Sequence, residues 1–322
     1  MDRQDIIQAL RSKGQEQKAL HAKACAERER FFGNRVEVRS VIEYASVCQR
    51  RCRYCGLSQD IQNPRFVLTS KQFLVAMDDV VERGRRVVLV QSGEVTNQGF
   101  REELLENFAR VRERHPEVEL MCGFGTQDLD FYQRLRACGV QRYLLKFETS
   151  DEHLYQELKP DDQLEHRLEH LQLLRDVGFK VSSGNITGLP GQSPAFIADD
   201  LLFLRELAVP MGSTSPFIAG EHCALAGYPN ADLDLTLNCL ALMRLLCPTM
   251  LIPTVSALEI VSPGGLGRGL LAGANVVTIH DGTPRHLEDR YRIYKKERHL
   301  PRNEVLSTVA ALGLRGLNTP LT

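Results

Sequence analysis

Residues 41–60 read VIEYASVCQRRCRYCGLSQD and place three of the chain's nine cysteines within eight positions, at the spacing C-x3-C-x2-C. The stretch begins as an apolar, β-branched segment and continues as a polar loop that also carries Arg50, Arg51 and Arg53. A buried strand followed at once by a loop with reactive side chains is typical of folds that place function at strand ends. The stretch therefore predicts a strand-based fold with thiol chemistry in the loop after this strand.

The overall composition is that of a globular protein with balanced charge. The chain has 322 residues, 43% of them hydrophobic, and a net charge of −1, so it carries no electrostatic footprint for nucleic acid or for an anionic membrane. The first residues are polar and helical in pattern, and no apolar run reaches transmembrane length. An odd number of cysteines in a long chain does not form a secreted disulfide framework. These features predict a cytoplasmic protein that binds neither nucleic acid nor a membrane.

Short apolar segments alternate with longer amphipathic ones along most of the chain. Eight segments rich in β-branched and apolar residues are predicted strands: 37–45, 86–91, 118–124, 142–148, 180–186, 211–218, 250–257 and 274–280. Seven of them are followed by a helical pattern, such as residues 69–84, which open on a Thr–Ser cap and end at a glycine. Eight strand–helix units in roughly 250 residues predict an α/β protein with a (β/α)8 barrel, with a doubly wound open sheet as the alternative.

No linker or low-complexity segment divides the sequence. We therefore expect residues 1–322 to form a single domain. Within it, residues 1–34 are predicted to be a helical lead-in, residues 35–285 the barrel, and residues 286–322 a mostly helical tail.

Four interpretations compete for Cys48, Cys52 and Cys55. A structural zinc site needs a fourth ligand, and the other six cysteines are isolated along the chain. A redox dithiol leaves one cysteine unexplained, and the stretch CQRRCRYC is too polar for three unrelated core cysteines. An iron–sulfur cluster held by three thiolates fits best, because it leaves the fourth iron open for a substrate or cofactor. The neighbouring arginines favour thiolates and offset the charge of such a cluster.

The cysteine loop resembles the signature of the radical S-adenosylmethionine (SAM) superfamily, C-x3-C-x-φ-C, in which φ is aromatic and is Tyr54 here. The resemblance implies a [4Fe-4S] cluster on the three cysteines that binds SAM. One-electron reduction then cleaves SAM to methionine and a 5′-deoxyadenosyl radical. It also implies a small-molecule substrate and a one-electron donor such as flavodoxin or ferredoxin. We expect the protein to be a monomer.

Further stretches match the superfamily's SAM site, each near the end of a predicted strand or in the helix after it. They are QSGE, KFET, LEHRLEH and GNITGLPGQ. The resemblance assigns SAM binding to the following residues: Tyr54, Ser92, Gly93, Glu94, Glu148, Arg167 and Ile186. Taken alone, the same residues allow a helix start at 92–94, a Glu148–Lys146 ion pair, a solvated helical Arg167 and a Gly-Pro turn at 184–192.

Within the superfamily the resemblance is strongest to the [FeFe]-hydrogenase maturase HydE, and it covers roughly residues 20–295. It is weaker to methylornithine synthase and to biotin synthase. The positions of the second-cluster cysteines of biotin synthase are Gln91, Met121 and Ser182 here, and Cys122 lies one residue off, which turns it to the other face of a strand. Sulfur insertion of that type is therefore not expected.

Several stretches depart from the HydE pattern where the substrate is expected, among them KFET and VVTIHDGTP. The candidates for lining the substrate cavity are Arg39, Ser256, Thr278 and Tyr291. The resemblance thus implies a HydE-like enzyme that acts on a small metal–thiolate or amino-acid-like substrate. The alternatives are a mutase of the methylornithine synthase type and a non-catalytic iron–sulfur carrier. We interpret His153, His166 and His170 as surface residues rather than metal ligands.

Overall fold

Eight parallel strands form the centre of the computed structural model, which describes residues 1–295 and 300–321. The strands are β1 (Arg35–Ala45), β2 (Val87–Ser92), β3 (Glu119–Gly123), β4 (Val140–Leu144), β5 (Lys180–Thr187), β6 (Met211–Pro216), β7 (Pro253–Thr254) and β8 (Val276–Ile279). They pair in the order β6-β5-β4-β3-β2-β1-β8-β7, and a bridge between Met211 and Leu251 joins the two ends of this row. The predicted barrel is confirmed in place of the open sheet.

Helices cover the outside of the barrel and its amino-terminal side. They are α1 (Arg3–Leu10), α2 (Gly14–Phe32), α3 (Ser70–Glu82), α4 (Gln98–Arg114), α5 (Leu129–Ala137), α6 (Glu152–Leu158), α7 (Leu164–Asp176), α8 (Pro194–Leu207), α9 (Leu233–Leu246), α10 (Ala257–Val261), α11 (Gly265–Leu271), α12 (Arg285–Glu288) and α13 (Arg302–Ala311). Among the described residues, no helix combines the length and the apolar character needed to cross a membrane.

Local sequence signals set the ends of these helices, as α3 shows. The Thr69 side chain accepts a hydrogen bond from the backbone N–H of Gln72, whose side chain in turn accepts from the backbone N–H of Thr69 at 3.0 Å. This reciprocal capping satisfies two backbone donors that the helix leaves without partners. The chain turns away at Gly84, whose φ of 85° favours glycine. The amphipathic segment is thereby held against β1, with Phe73 and Met77 in the core.

Five of the predicted strands are shorter than expected, and the fourth and seventh show the physical reasons. The segment 142–148 leaves the sheet at Leu144, and Glu148 pairs again with Asn185 of β5 through an isolated bridge. The segment 250–257 keeps only Pro253 and Thr254 as a strand. The proline lacks a backbone N–H and cannot donate to the ladder, which limits the length of β7.

The carboxyl-terminal region contains a strand that the sequence does not predict. Residues Arg315–Leu317 form β9, which pairs in parallel with β1 from Arg35 to Glu37. The pairing of β1 with β2 begins only at Ser40, and the N–H of Arg86, just before β2, donates to the carbonyl of Asn318, so β9 occupies the edge that β2 leaves open. The prediction of a mostly helical tail over residues 286–322 therefore needs this correction. Residues 296–299 and 322 of that tail lie outside the described residues.

A buried charge network closes the amino-terminal end of the barrel. Arg142 lies 3.1 Å from a carboxylate oxygen of Glu37 and 2.6 Å from one of Glu119. The side chain of Glu37 is fully buried, and it also accepts a hydrogen bond from the backbone N–H of Leu321 at 3.1 Å. Each charge in this network is stabilised only while its partners are present.

We expect Arg142→Met to lower the free energy of unfolding by about 3–5 kcal/mol, because it leaves the Glu37 carboxylate buried without its main partner. Urea unfolding followed by circular dichroism measures the change. Arg110→Met is the matched control, since Arg110 is exposed and makes only a surface ion pair with Glu106, for which we expect less than about 1 kcal/mol. Equal effects of the two substitutions would contradict the structural role of this network.

Candidate functional site

The cysteine loop lies at the mouth of the barrel, directly after β1. Gly93, at the end of β2, packs against this loop so closely that a Cβ atom there would be 2.3 Å from the carbonyl oxygen of Val47 and 2.5 Å from Cβ of Cys48. Real Cβ atoms do not approach other atoms at such distances. Only glycine therefore allows the second strand to end beneath the loop that carries the thiols.

Backbone N–H groups point at two of the three sulfur atoms. Sγ of Cys48 accepts from the N–H of Arg50 and of Glu94, each at 3.4 Å, and Sγ of Cys55 accepts from the N–H of Leu57 at 3.4 Å. Such donors stabilise sulfur that carries negative charge. Burial raises the pKa of all three thiols, most strongly that of Cys55, so metal binding at neutral pH displaces protons from them.

The donor set suits a cluster rather than a single ion. Among the described residues, no three Cys, His, Asp or Glu side chains converge closely enough to hold one metal ion. The three thiolates of an iron–sulfur cubane bind three different irons and do not need to converge on a single point. Three partly buried thiols on one loop, with N–H donors aimed at the sulfurs, fit a [4Fe-4S] cluster.

A cavity of about 310 Å³ extends from the cysteine loop into the barrel. Eight of the residues predicted for the site line it: Tyr54, Cys55, Glu148, Ile186, Arg39, Ser256, Thr278 and Tyr291. Arg39 lies six residues before the end of β1, or roughly 20 Å along the strand from the loop. One cavity therefore connects a cysteine thiol at the mouth with a cation deep in the barrel.

Glu148 adopts an unusual backbone conformation at the mouth of this cavity. Its φ of 68° lies in the left-handed region, which a side chain normally disfavours. Its N–H donates to the carbonyl of Gly184 at 3.0 Å, and its carbonyl accepts from the N–H of Ile186 at 2.8 Å. The strained residue is thus held by hydrogen bonds to β5, an arrangement that is common at functional sites.

The carboxylate of Glu148 is buried but remains charged. Burial is the largest effect and raises the pKa of Glu148, whereas Lys146, Lys159 and Arg167 together hold it below its ordinary value. Lys146 Nζ lies 3.1 Å from the carboxylate, so the ion pair that the sequence suggested as an alternative also forms. A negative charge at this position attracts a cationic ligand.

A second acidic residue, Asp200 of α8, fixes the segments on either side of the mouth. Its buried carboxylate accepts from the backbone N–H of Ser150 at 2.6 Å, from the Ser150 hydroxyl at 2.8 Å and from the side-chain amide of Asn185 at 3.1 Å. It thereby connects the turn after Glu148 to residues 184–192. The sequence does not indicate this role, because the stretch DDLLFL has the pattern of an ordinary amphipathic helix.

Glu94 has partners within the protein. Its carboxylate accepts from the N–H and the hydroxyl of Thr126 at 2.9 and 2.8 Å, and from Nε of Arg50 at 2.5 Å. Through Arg50, this carboxylate fixes the cysteine loop. Ser92, Gly93 and Glu94 thus lie against the loop rather than in the lining of the cavity.

Arg167 is buried in a network beside the cysteine loop and is not a solvated helical residue. It donates to Asp162 at 2.5 Å and to the hydroxyl of Tyr155 at 3.0 Å. Lys159 lies 3.6 Å from the same carboxylate of Asp162. Burial, the largest effect, and Arg167 lower the pKa of Lys159, whereas Cys52, Tyr155 and Glu148 raise it above its ordinary value. No sequence signal marks this buried lysine.

Arg39 is a buried cation with no carboxylate at ion-pair distance among the described residues, and the more distant Glu37 only partly offsets the effect of burial on its pKa. Its Nε donates to the Thr278 hydroxyl at 2.9 Å, and Nη1 lies 3.2 Å from Sδ of Met211 and 3.5 Å from Sδ of Met121. Burial lowers the pKa of Arg39 to about 10, so the guanidinium stays charged at neutral pH. A charged group surrounded by a hydroxyl and thioethers is costly unless a ligand neutralises it.

Comparison with known proteins agrees with this geometry. A family model of the radical SAM superfamily matches residues 42–204. The [FeFe] hydrogenase maturase subunit HydE of Thermotoga maritima is 32% identical over 268 residues, which cover 83% of this chain and 76% of that protein. Biotin synthase 2 of Frankia casuarinae is 27% identical, over 77% of this chain and 69% of that protein. The crystal structure of methylornithine synthase superposes with a TM-score of 0.85 at 21% identity, over 98% of this chain and 94% of that one.

The chain belongs to the radical SAM superfamily. It is similar in sequence to HydE, whereas its similarity to the methylornithine synthase structure concerns the fold. The predicted resemblance is thereby confirmed, and the chain is an enzyme of a class that works with a [4Fe-4S] cluster and SAM. Cys122, the cysteine nearest to a second-cluster position of biotin synthase, is buried and does not line the cavity.

We expect the stability difference between the wild type and Asp200→Asn to depend on pH. Burial raises the pKa of Asp200 from 3.8 to about 6 in the folded protein. Folding therefore takes up a proton between these values, and the stability contributed by the protonated carboxyl is lost as pH rises through 6. Between pH 5 and 7.5 the wild type should lose roughly 1–1.5 kcal/mol relative to the variant, as measured by urea unfolding. A difference that does not change with pH would show that this carboxyl titrates normally.

We expect Arg39→Met to leave the free energy of unfolding unchanged or to raise it, in contrast to Arg142→Met. Both arginines are buried inside the barrel, but only Arg142 has carboxylate partners. Replacing Arg39 removes a buried charge together with its desolvation cost. It leaves no carboxylate without an ion-pair partner. Urea unfolding of the two variants side by side makes the comparison. A loss of several kcal/mol in Arg39→Met would mean that Arg39 serves to hold the barrel together.

Proposed function

We propose that the protein is a HydE-like radical SAM enzyme with its reaction centre in the barrel cavity. Cys48, Cys52 and Cys55 would hold three irons of a [4Fe-4S] cluster and leave the fourth for SAM. The observation that carries the proposal is the single cavity that joins Cys55, Glu148 and Arg39. When bound, the cluster and SAM supply one-electron cleavage of the sulfonium to a 5′-deoxyadenosyl radical.

The residues at the mouth suit SAM by charge and by shape. The charged carboxylate of Glu148 favours the sulfonium and ammonium groups of SAM. Tyr54 and Ile186 pack in one apolar cluster with Phe217 and Leu189, which offers a surface for adenine. Arg167 would bind the SAM carboxylate, a role that suits the forked geometry of a guanidinium.

Ser92, Gly93 and Glu94 would act mainly by shaping this end of the site. The N–H of Glu94 donates to Cys48, and its side chain holds Arg50. The Ser92 hydroxyl donates to the carbonyl of Gly93 at 2.6 Å. We propose that backbone carbonyls of this segment, rather than the Glu94 carboxylate alone, contact the SAM amino group, because Thr126 and Arg50 already hold that carboxylate.

The deep end of the cavity indicates a small anionic substrate. Arg39 supplies a charge with no carboxylate at ion-pair distance among the described residues, the Thr278 hydroxyl accepts from it, and Ser256 and Tyr291 add polar groups to the lining of the same cavity. His280 also lines the cavity, with Nδ1 2.7 Å from a carboxylate oxygen of Glu43. A carboxylate on the substrate would neutralise Arg39 and recover the cost of its burial.

A metal–thiolate compound with an amino-acid ligand, or an amino acid itself, meets this requirement. Similarity to HydE over 83% of the chain favours a step of hydrogenase-cofactor maturation. A mutase of the methylornithine synthase type is the second candidate, and the match of the whole fold to that enzyme favours it. A non-catalytic iron–sulfur carrier requires neither the strained, charged Glu148 nor the cavity behind it.

The barrel residues would orient the substrate and protect a reactive radical. The cavity wall contains Val41, Leu89, Leu144 and Val255, which exclude water and carry no weak S–H bond that would give a hydrogen atom to a radical. An external one-electron donor such as flavodoxin or ferredoxin would reduce the cluster from the side of the cysteine loop, where Arg51 and Arg53 are exposed.

We expect Cys52→Ala to abolish both the iron–sulfur absorbance and SAM cleavage, because the two thiolates that remain are too few to hold the cluster. The measurement is 5′-deoxyadenosine formed after anaerobic reconstitution with iron and sulfide and reduction with dithionite. Cys25→Ala is the matched control, since Cys25 is also partly exposed but lies on α2, away from the site. A wild-type protein that binds a cluster and never cleaves SAM would favour the carrier.

A further inference from the structure

Two histidines on α7 face each other outside the barrel. His166 and His170 are separated by one helical turn, so their side chains lie on the same face of the helix. Their Nε2 atoms are 3.0 Å apart, and the ring centroids are 4.4 Å apart. The spacing His-x-x-Glu-His is also one that zinc-binding helices use. These residues play no part in the cavity or in the cysteine loop.

The other ring nitrogen of each histidine is already held. Nδ1 of His166 lies 3.2 Å from a carboxylate oxygen of Asp162, and Nδ1 of His170 lies 3.1 Å from the hydroxyl of Tyr132. Metal-bound histidines are typically oriented in this way, with one nitrogen on the metal and the other on an oxygen. Both rings are therefore fixed with Nε2 directed toward a common point.

The distance between the two Nε2 atoms matches the requirement of a metal ion. Metal–nitrogen bonds of about 2.0–2.1 Å place two ligands about 2.9 Å apart at a right angle and about 3.3 Å apart at the tetrahedral angle. The observed 3.0 Å falls between these values. Without an ion, the two rings form a direct N–H···N hydrogen bond. Only a small rotation of the rings is needed to place an ion between the two nitrogens.

The surroundings allow a divalent cation to reach this point. The side chain of His166 is 44% exposed, and a surface cavity of about 310 Å³ beside it is lined by Asp161, Asp162 and Gln163, among others. Burial, together with His166 and Arg167, lowers the pKa of His170, which keeps its ring neutral and able to bind metal. Arg167 and Lys159 oppose a cation here, and Asp162, which pairs with both, offsets part of their charge.

We propose that His166 and His170 form a binding site for a divalent transition-metal ion such as Zn²⁺ or Ni²⁺, separate from the iron–sulfur site. These are ions that imidazole ligands favour. No third protein ligand converges on the pair among the described residues, so water completes the coordination. The inference revises the interpretation of these two histidines as ordinary surface residues, and it does not depend on the proposed reaction.

Isothermal titration of the anaerobic, cluster-loaded protein with NiCl2 tests the site. We expect one saturable Ni²⁺ site in the wild type, and a loss of affinity of about tenfold or more in His166→Gln and in His170→Gln, because each removes one of the two protein ligands. His153→Gln is the matched control: His153 is 84% exposed and has no histidine neighbour among its described contacts. It should leave the affinity unchanged.

The proposal fails if the wild type shows no saturable site, or if His170→Gln binds Ni²⁺ as tightly as the wild type does. Anomalous diffraction at the nickel edge, from crystals of the cluster-loaded wild type, gives an answer that requires no variant to fold. The expected result is a peak within bonding distance of both Nε2 atoms. A peak bound to His153 or to Cys25 alone would overturn the assignment.

Discussion

The parallel direction of the eight strands places the carboxyl end of every strand at one rim of the barrel. The cysteine loop after β1, Gly93 after β2, Glu148 after β4 and Ile186 in β5 meet there for that reason alone. The rim is also crowded: Gly93 contacts the loop at a distance that admits no side chain. The position of the thiols thus depends on a backbone contact between neighbouring strands as much as on the cysteines.

Two buried arginines show how the interior is divided between stability and function. Arg142, at the amino-terminal end, is matched by Glu37 and Glu119 and helps to close the barrel. Arg39, deep in the cavity, has a hydroxyl and two thioethers as neighbours and no carboxylate at ion-pair distance among the described residues. A protein retains such a charge against its desolvation cost when a ligand uses it. The contrast is the physical basis for an anionic substrate.

The sequence predicts most of the barrel because strands buried on both faces form continuous apolar runs, which are visible locally. It also selects eight residues that line the cavity, and those at or after strand ends come together because parallel strands share one rim. It does not predict β9, because three residues carry no periodic pattern. It misses Lys159 and Asp200, whose partners are distant along the chain. The sequence places His166 and His170 on one face of a helix, but it does not show that their rings are in contact. The assignment of individual residues to SAM remains a prediction.

Three thiolates on a [4Fe-4S] cluster should leave one iron free for SAM. Electron paramagnetic resonance of the reduced, reconstituted protein, recorded before and after the addition of SAM, reports on that iron. We expect a [4Fe-4S]⁺ signal whose g-values shift when SAM binds, and a coupling to ¹⁷O or ¹⁵N from SAM labelled in its carboxylate or amino group. A cluster signal that is unchanged by saturating SAM, with no such coupling, would contradict it.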